Sequence, residues 1–528
     1  MGDREEYTNM NTLLVWPRIP VTYWGAQYSV GLVGKRAAMP PLSVLTVAAL
    51  CPRDWNMRVV DLNIEELSRS DIEWADLVFV SGMAIQHQST VEILSRCKQA
   101  GVTTVVGGPH ATSSPERLED ATHLLLDEAE ITLPKFLHDL AEGNPQRIYR
   151  ADGQKPDVTR TPPPRFDLLK MSAYANMCIQ FSRGCPFACE FCDITTLYGK
   201  NPRTKTPEQI VGEVQALYDA GFRGEIFLVD DNFIGNKKNV KIMLPKLIDW
   251  QREHGYPYWF YTEASINLAD DDELLELMGD ANFHSVFIGI ETPSMESLRE
   301  THKYQNIHGD LLSKVHKVQK YGIEVMAGFI VGFDSDTEDI FDRQIEFITA
   351  ARIPRAMIGP LQAMPNTELW TRLKREGRLR ENFQGDTFGF CNFVTRLPAI
   401  TLVRGYRKVL STLYSPAGMF GRLYDLFDAL DCSRNRTLCR LNLVTQLVWF
   451  FPILGGLIQL ACADRDRAHY LRFMAWVWRH HRDKLLFAMD RAVAAHHFIR
   501  YTSDVMIPRL NRLEEQLQEQ ECLARLAG

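Results

Sequence analysis

The sequence predicts two successive α/β units followed by a helical region. Three observations carry this reading. Short β-branched runs alternate with helical stretches from Asn11 to about Gly143, a second such series runs from Met177 to Pro365, and beyond Leu379 strand signals give way to aromatic, basic, helical segments. With 528 residues, 45% hydrophobic and 24% charged, the chain has apolar material for several cores; it is neither disordered, collagenous nor low-complexity. A net charge of −7 excludes a general nucleic-acid binder.

The first unit, residues 1–150, contains TLLVWP, MRVVDLN, DLVFVSGM and TTVVGGP, continuous apolar runs of the kind parallel strands show when both faces are covered. PPLSVLTVAALC and STVEILSRCKQAG are long enough to be crossover helices, giving a doubly wound sheet. Its strands end in Asp61 and Asn63, Ser81 and Gly82, and Gly107 and Gly108, and such ends are where these sheets bind ligands. Residues 151–170, rich in proline and without apolar period, form an extended linker. In the second unit, 171–379, MCIQFSRG, GEIFLVDDNFIG, YWFYTEASI, SVFIGIET, EVMAGFIVGF and AMIGPLQAMP are six strands separated by helical stretches. Six βα units are too few for a closed eight-stranded barrel and suit a partial barrel with a lateral opening.

Eleven cysteines, an odd number, are scattered except for Cys185-x-x-x-Cys189-x-x-Cys192, directly after the first strand of the second unit. Scattered thiols imply a reducing compartment. The acidic, polar N-terminus has no secretory pattern, and Glu6 stands where a myristoylation signal needs Ser or Thr, so the protein is expected in the cytoplasm. A structural zinc site needs four ligands, and no fourth Cys or His is near the cluster in sequence. Three thiolates at this spacing instead wrap one corner of an iron–sulfur cubane and leave one iron open to a chelating molecule. Beyond the cluster, Asp230, Asp231 and Asn232 end the second strand, Glu263 and Ser265 the third and Glu291 the fourth. Arg203 and Lys205 precede a helix and are candidates for contact with cluster or substrate, with a plain surface role equally open.

CPFACEFC, with Phe191 before the last cysteine, resembles the cysteine motif of the radical S-adenosylmethionine (SAM) enzymes. The resemblance implies a [4Fe–4S] cluster on Cys185, Cys189 and Cys192. It also implies SAM on the open iron, held by the strand ends Asp230, Asp231, Asn232, Glu263, Ser265 and Glu291, and an external electron donor of the flavodoxin or ferredoxin type. The segments PPLSVLTVAALC, VVDLN, SGM, VVGGP and DEAE resemble the cobalamin-binding class of these enzymes, in the branch of hopanoid methylases with a helical C-terminal domain. That implies cobalamin at Asp61, Asn63, Ser81, Gly82, Gly107 and Gly108. The Asp-x-His-x-x-Gly motif that supplies a cobalt ligand elsewhere is missing. Asp61-Leu62-Asn63 stands in its place, and His87 and His110 lie near later strand ends outside that context.

Residues 380–528 form the helical region. Within them, 401–500 carry 15 Lys and Arg against 7 Asp and Glu, while 501–528 carry −2 and the first 400 residues −13. Residues 441–463 are uncharged, but Pro452, Gly455 and Gly456 interrupt them, which predicts two short helices meeting at a turn. Arg434, Arg436, Arg440, Arg465, Arg467 and Arg472 flank the run. Apolar and basic groups together suggest peripheral contact with the inner face of a membrane or a mouth for a greasy substrate, against an internal helical core. The expected activity is cobalamin-dependent radical C-methylation of a lipid, hopanoid-like or tetrapyrrole substrate. The alternatives are an oxidative cyclase or rearrangement enzyme without methyl transfer, or a non-catalytic cobalamin or iron–sulfur sensor.

Overall fold

The computed structural model describes residues 9–380, 383, 385–430 and 443–527, so Cys432, Cys439, Arg434, Arg436 and Arg440 lie outside the described residues. Strands β1 (Asn11–Trp16), β2 (Asn56–Asp61), β3 (Leu77–Ser81), β4 (Thr103–Gly107), β5 (His123–Leu125) and β6 (Ile148–Tyr149) form one parallel sheet in the order β2-β1-β3-β4-β5-β6. Residues on alternate sides of β3 enter two separate cores. Val78 and Val80 pack with Ile93 and Leu94 of helix His87–Ala100, while Phe79 packs with Val44 and Phe136 of helices Leu42–Leu50 and Ala129–Ala141. This is the doubly covered sheet that the unbroken apolar runs predict.

Residues 151–170 are pinned down rather than free: Val158 and Phe166 are buried within single helical turns, and Arg165 donates its backbone N–H to the Leu45 carbonyl. The second sheet comprises β7 (Asn176–Ile179), β10 (Gly224–Leu228), β11 (Tyr258–Ala264), β12 (Phe283–Glu291), β13 (Glu324–Val331) and β14 (Ala356–Pro360), all parallel in the order β14-β13-β12-β11-β10-β7. A short antiparallel pair, β8 (Ser182–Arg183) and β9 (Arg203–Thr204), brackets the cysteine loop. On β11, Tyr258, Phe260 and Thr262 are buried beneath helices, whereas Trp259, Tyr261 and Glu263 are only partly covered and face the lumen of an open half-barrel. The arrangement matches the predicted partial barrel.

The helical region closes the half-barrel and shares one continuous core with it. Helix Ala399–Leu413 covers the edge strand, where Tyr406 donates its hydroxyl to the Ile358 carbonyl at 2.9 Å. Residues 443–463 depart from the expectation of two short helices: Leu443–Ala463 is one helix with Pro452 inside it. Proline removes one donor from a helix, a tolerable loss when packing holds the remainder. The packing is extensive, because Trp449, Ile453, Leu457 and Leu460 bury one face, and Gly456 permits close approach to Leu32, whose carbonyl would lie 2.9 Å from an added Cβ. The opposite face exposes Leu447, Val448, Phe451 and Ile458. By length and composition this helix could cross a membrane.

Arg422, on helix Pro416–Ala429, is fully buried and donates to the carbonyls of Leu413, Gly418, Ile353 and Pro354, tying this region to the barrel floor. Replacing it with methionine takes this buried donor from the Leu413, Ile353 and Pro354 carbonyls. Arg422→Met should lower unfolding stability by about 3 kcal/mol, read by denaturant titration; an unchanged midpoint would contradict this role.

Candidate cofactor site at the facing sheet edges

The cysteine loop leaves β8 at Gly184, whose φ of +93° and whose position against the Gly199 carbonyl (2.8 Å from an added Cβ) admit no side chain. Carboxylates brace the loop beyond this turn. Asp230 accepts from the backbone N–H of Phe181 and Ser182 and from the Ser182 hydroxyl, at 2.8–2.9 Å, and Asp231 accepts from Gly184 N–H at 2.8 Å. Glu190, between two of the cysteines, is buried against the Arg372 guanidinium at 2.5 Å. Burial pushes Asp230 up to about 7 and Asp231 up to about 6, against the hydrogen bonds that favour their ionised forms. Of the residues expected at SAM, these two therefore serve the loop's shape.

Cys185, Cys189 and Cys192 are half-buried. The Asn232 amide lies 3.7 Å from the Cys185 sulfur, and the Gln305 amide 3.5 Å from that of Cys189. Asn232 also meets the Ser265 hydroxyl at 3.2 Å. Lys303 pairs with Glu291 at 2.7 Å and sits 5.9 Å from the Phe191 ring centroid. Burial opposes its charge, but Glu291 and the sulfurs of Cys189 and Cys192 outweigh that cost and hold its pKa above the ordinary value. Glu291 has a left-handed φ of +67°, rare outside glycine, at a register shift of β12 against β13. Gly289 makes room for the pair, since an added Cβ there would lie 2.3 Å from the Glu291 carboxylate and 2.9 Å from the Lys303 ammonium.

Glu263 behaves differently. Its carboxylate makes no hydrogen bond or ion pair among the described residues, and burial, with Asp231 and Asp230 nearby, pushes it up to about 8. It is the carboxylate available to a cationic ligand. Among the described residues, no three His, Cys, Asp or Glu side chains converge on a single-ion site. The cysteines are thus spread around a loop, with amide and ammonium donors facing the sulfurs, a donor set that fits a polynuclear cluster.

The C-terminal edge of the first sheet faces this loop. There a small, partly open cavity of about 40 Å³ is lined by Ser81, Gly107, Gly108, Leu14, Val44 and Phe79, among others. An added Cβ on Gly108 would lie 2.7 Å from the Ser81 hydroxyl, so the glycines create the space. This fits an apolar arm with polar ends, as a corrinoid carries. Asp61 and Asn63 are engaged elsewhere: Asp61 accepts from the Tyr174 hydroxyl and from Asn63, and Asn63 accepts from Ile19 N–H. Gly82 accepts from His110 N–H. His87 and His110, separate in sequence, meet at 3.0 Å; burial lowers His110 to about 4 and leaves its Nδ1 unpartnered.

The two edges are tied by Glu128 and Glu130 of the DEAE segment. Arg183 reaches both, at 3.0 and 2.8 Å, Arg203 meets Glu128 at 2.8 Å, and Lys155 stands 3.7 Å from Glu128. Arg203 thus belongs to the lock between units, and Lys205 is buried against Glu213. Neither Lys303, the Glu190–Arg372 pair nor the lock was foreseen from sequence.

Residues 179–348 match the Radical SAM superfamily and residues 367–508 match the Domain of unknown function (DUF4070). The chain is 45% identical over 440 residues to an uncharacterized methyltransferase of Synechocystis sp., covering 82% of each. It is 38% identical over 423 residues to the Hopanoid C-2 methylase of Rhodopseudomonas palustris, covering 79% of each. The chain belongs to the cobalamin-binding radical SAM methyltransferase family. In fold it is similar to the cobalamin-dependent SAM radical enzyme OxsB solved with aqua-cobalamin and S-adenosylmethionine, at a TM-score of 0.57 and 14% identity, covering 97% of this chain and 84% of OxsB. In this radical SAM methyltransferase, Cys185, Cys189 and Cys192 lie together on one loop, and Ser81, Gly107 and Gly108 line the cavity at the edge of the first sheet.

Glu263 carries a thermodynamic signature of its role. A carboxyl raised to about 8 in the folded chain binds its proton more tightly than in the unfolded chain, so it costs stability as pH rises from the ordinary carboxylate range to about 8. Ligand-free Glu263→Gln should melt above the wild type at pH 8–9, with the difference vanishing below about pH 4; equal melting at both pH values would contradict this assignment.

Proposed function

We propose that this methyltransferase places a methyl group on an unactivated carbon of a polycyclic, hydrophobic lipid of the hopanoid kind. The reading is carried by the facing arrangement of two built sites, a three-thiol loop at one sheet edge and a glycine-lined cavity at the other. The substrate class is supported by 38% identity to a Hopanoid C-2 methylase and by a lumen walled by Phe227, Trp259, Tyr261 and Phe287. Bound together, the cluster with SAM supplies a radical at an unactivated C–H position and cobalamin supplies the methyl group.

The chain's own residues position these partners. Cys185, Cys189 and Cys192 hold the cluster, and the Asn232 and Gln305 amides and the Lys303 ammonium offset negative charge on the sulfurs. Glu263, neutral near pH 7 while its carboxyl is unpaired, gives up its proton when a ligand ammonium approaches and then holds that cation. The aromatic lumen excludes water from the reacting carbon, and the ion pairs of Glu128 and Glu130 keep the two edges in register. The apolar outer face of Leu443–Ala463, with Arg465, Arg467 and Arg472 beside it, supports docking on the inner face of an anionic membrane from the cytoplasm. A flavodoxin- or ferredoxin-type protein is the proposed electron donor.

Anaerobic incubation with SAM, reductant, cobalamin and lipid extract should give equal amounts of S-adenosylhomocysteine and 5′-deoxyadenosine, and a lipid heavier by one methylene, about 14 mass units. 5′-Deoxyadenosine without S-adenosylhomocysteine would overturn methylation in favour of an oxidative radical reaction.

A further inference from the structure

The half-barrel has a second chamber at the end opposite the cysteine loop. It is a partly open cavity of about 180 Å³ at the N-terminal mouths of the strands. Its walls are Trp24, Trp259, Trp449, Phe498, Met326 and Met357, contributed by the first unit, the barrel and the helical region together. Trp24 remains 38% exposed although it packs on Phe287 with ring centroids 4.8 Å apart. Trp449 is fixed in place by its indole N–H, which donates to the Arg223 carbonyl at 3.0 Å, and by Gly224, whose missing side chain it overlies. Aromatic surface held open in this way is unfavourable in water and points to an apolar occupant.

The polar groups of the chamber are equally specific. Asn176 is buried, donates its amide to the Tyr261 hydroxyl at 3.0 Å, and leaves its own carbonyl oxygen without a partner. Arg355, a chamber residue, gives Nε and Nη2 to Glu324 at 3.0 and 2.7 Å, and Arg491 pairs with Glu324 at 2.5 Å and with Asp490 and meets His284 Nδ1 at 3.0 Å. The Asp490 side chain is nevertheless 46% exposed, and Glu225 lines the chamber with His284 against it at 2.8 Å. The unpartnered Asn176 carbonyl oxygen and the carboxylates of Asp490 and Glu225 are acceptors lining the chamber, so the complementary group is a donor: a hydroxyl or an amine.

Chamber and cofactor site lie along the same inner face of one strand. Trp259, Tyr261 and Glu263 alternate along a single face of β11, and four residues of strand from Trp259 to Glu263 span about 13 Å. We infer that this chamber is a second ligand site, taking the hydroxyl- or amine-bearing end of a rigid, ring-fused apolar substrate whose other end is presented to the cofactors. The inference rests on the hydrophobic-substrate reading above and deepens it.

The full-length protein can be photolabelled with a hydroxylated pentacyclic triterpene bearing a diazirine, and the adducts mapped by mass spectrometry. Adducts on peptides carrying Trp24, Trp259 or Ala494, competed by the unlabelled triterpene, are expected. Ala494 lines the chamber, so Ala494→Phe should cut labelling about tenfold, whereas Ala494→Ser should retain it. Adducts confined to the outer face around Phe451 or to the cysteine-loop end, absence of adducts, or full labelling of folded Ala494→Phe would each overturn the chamber. The two readings fail separately. Lipid methylated equally well by wild type and Ala494→Phe removes the chamber and spares the methyltransferase. Chamber adducts without any methylated lipid spare the chamber and remove the proposed substrate.

Discussion

Everything in the active region depends on a buried ionic lock between two sheets. Glu128 and Glu130 leave the first sheet just after β5, and Arg183 and Arg203 belong to the short strands that bracket the cysteine loop. Buried ion pairs contribute little net stability, because desolvation consumes most of the Coulombic gain, but breaking one leaves a stranded charge at a cost of several kcal/mol. They act as geometric devices. Here the device holds a glycine-lined cavity opposite a three-thiol loop, which is what two cofactors acting on one carbon require.

A second theme is the division of acidic side chains into three tasks. Asp230, Asp231 and Glu190 spend their oxygens on the backbone and on Arg372, giving the loop its shape. Glu291 is neutralised by Lys303 beside the sulfurs. Glu263 alone among them is left unpaired, its carboxyl raised to about 8 by burial. A carboxylate held in this way is unfavourable for the empty fold and favourable once a cation arrives, the usual relation between stability and binding at a functional site.

Much of this was legible in the sequence. The unbroken runs TLLVWP and DLVFVSGM announced covered parallel strands, and the six runs of the second unit matched its six long strands. The cysteine spacing identified the loop because ligand geometry is local. What stayed hidden depends on long-range pairing. DEAE reads as the start of a helix, and only the fold shows that its glutamates meet arginines more than fifty residues away. Lys303 resembles any surface lysine until the chain brings it to Glu291. Pro452 and two glycines argued for a break in residues 443–463, but burial of Trp449, Ile453, Leu457 and Leu460 keeps the helix whole. Asp61 and Asn63 sit at a strand end, as a ligand residue would, yet they hydrogen-bond each other and Tyr174.

The most direct test of the central claim is the magnetic dipolar distance between the reduced iron–sulfur cluster and Co(II) cobalamin in the reconstituted protein. If the lock sets the geometry, the wild type gives one narrow distance distribution, and Glu128→Gln combined with Glu130→Gln broadens it while both cofactors stay bound. A distribution equally narrow in the double variant, or already broad in the wild type, would contradict the account.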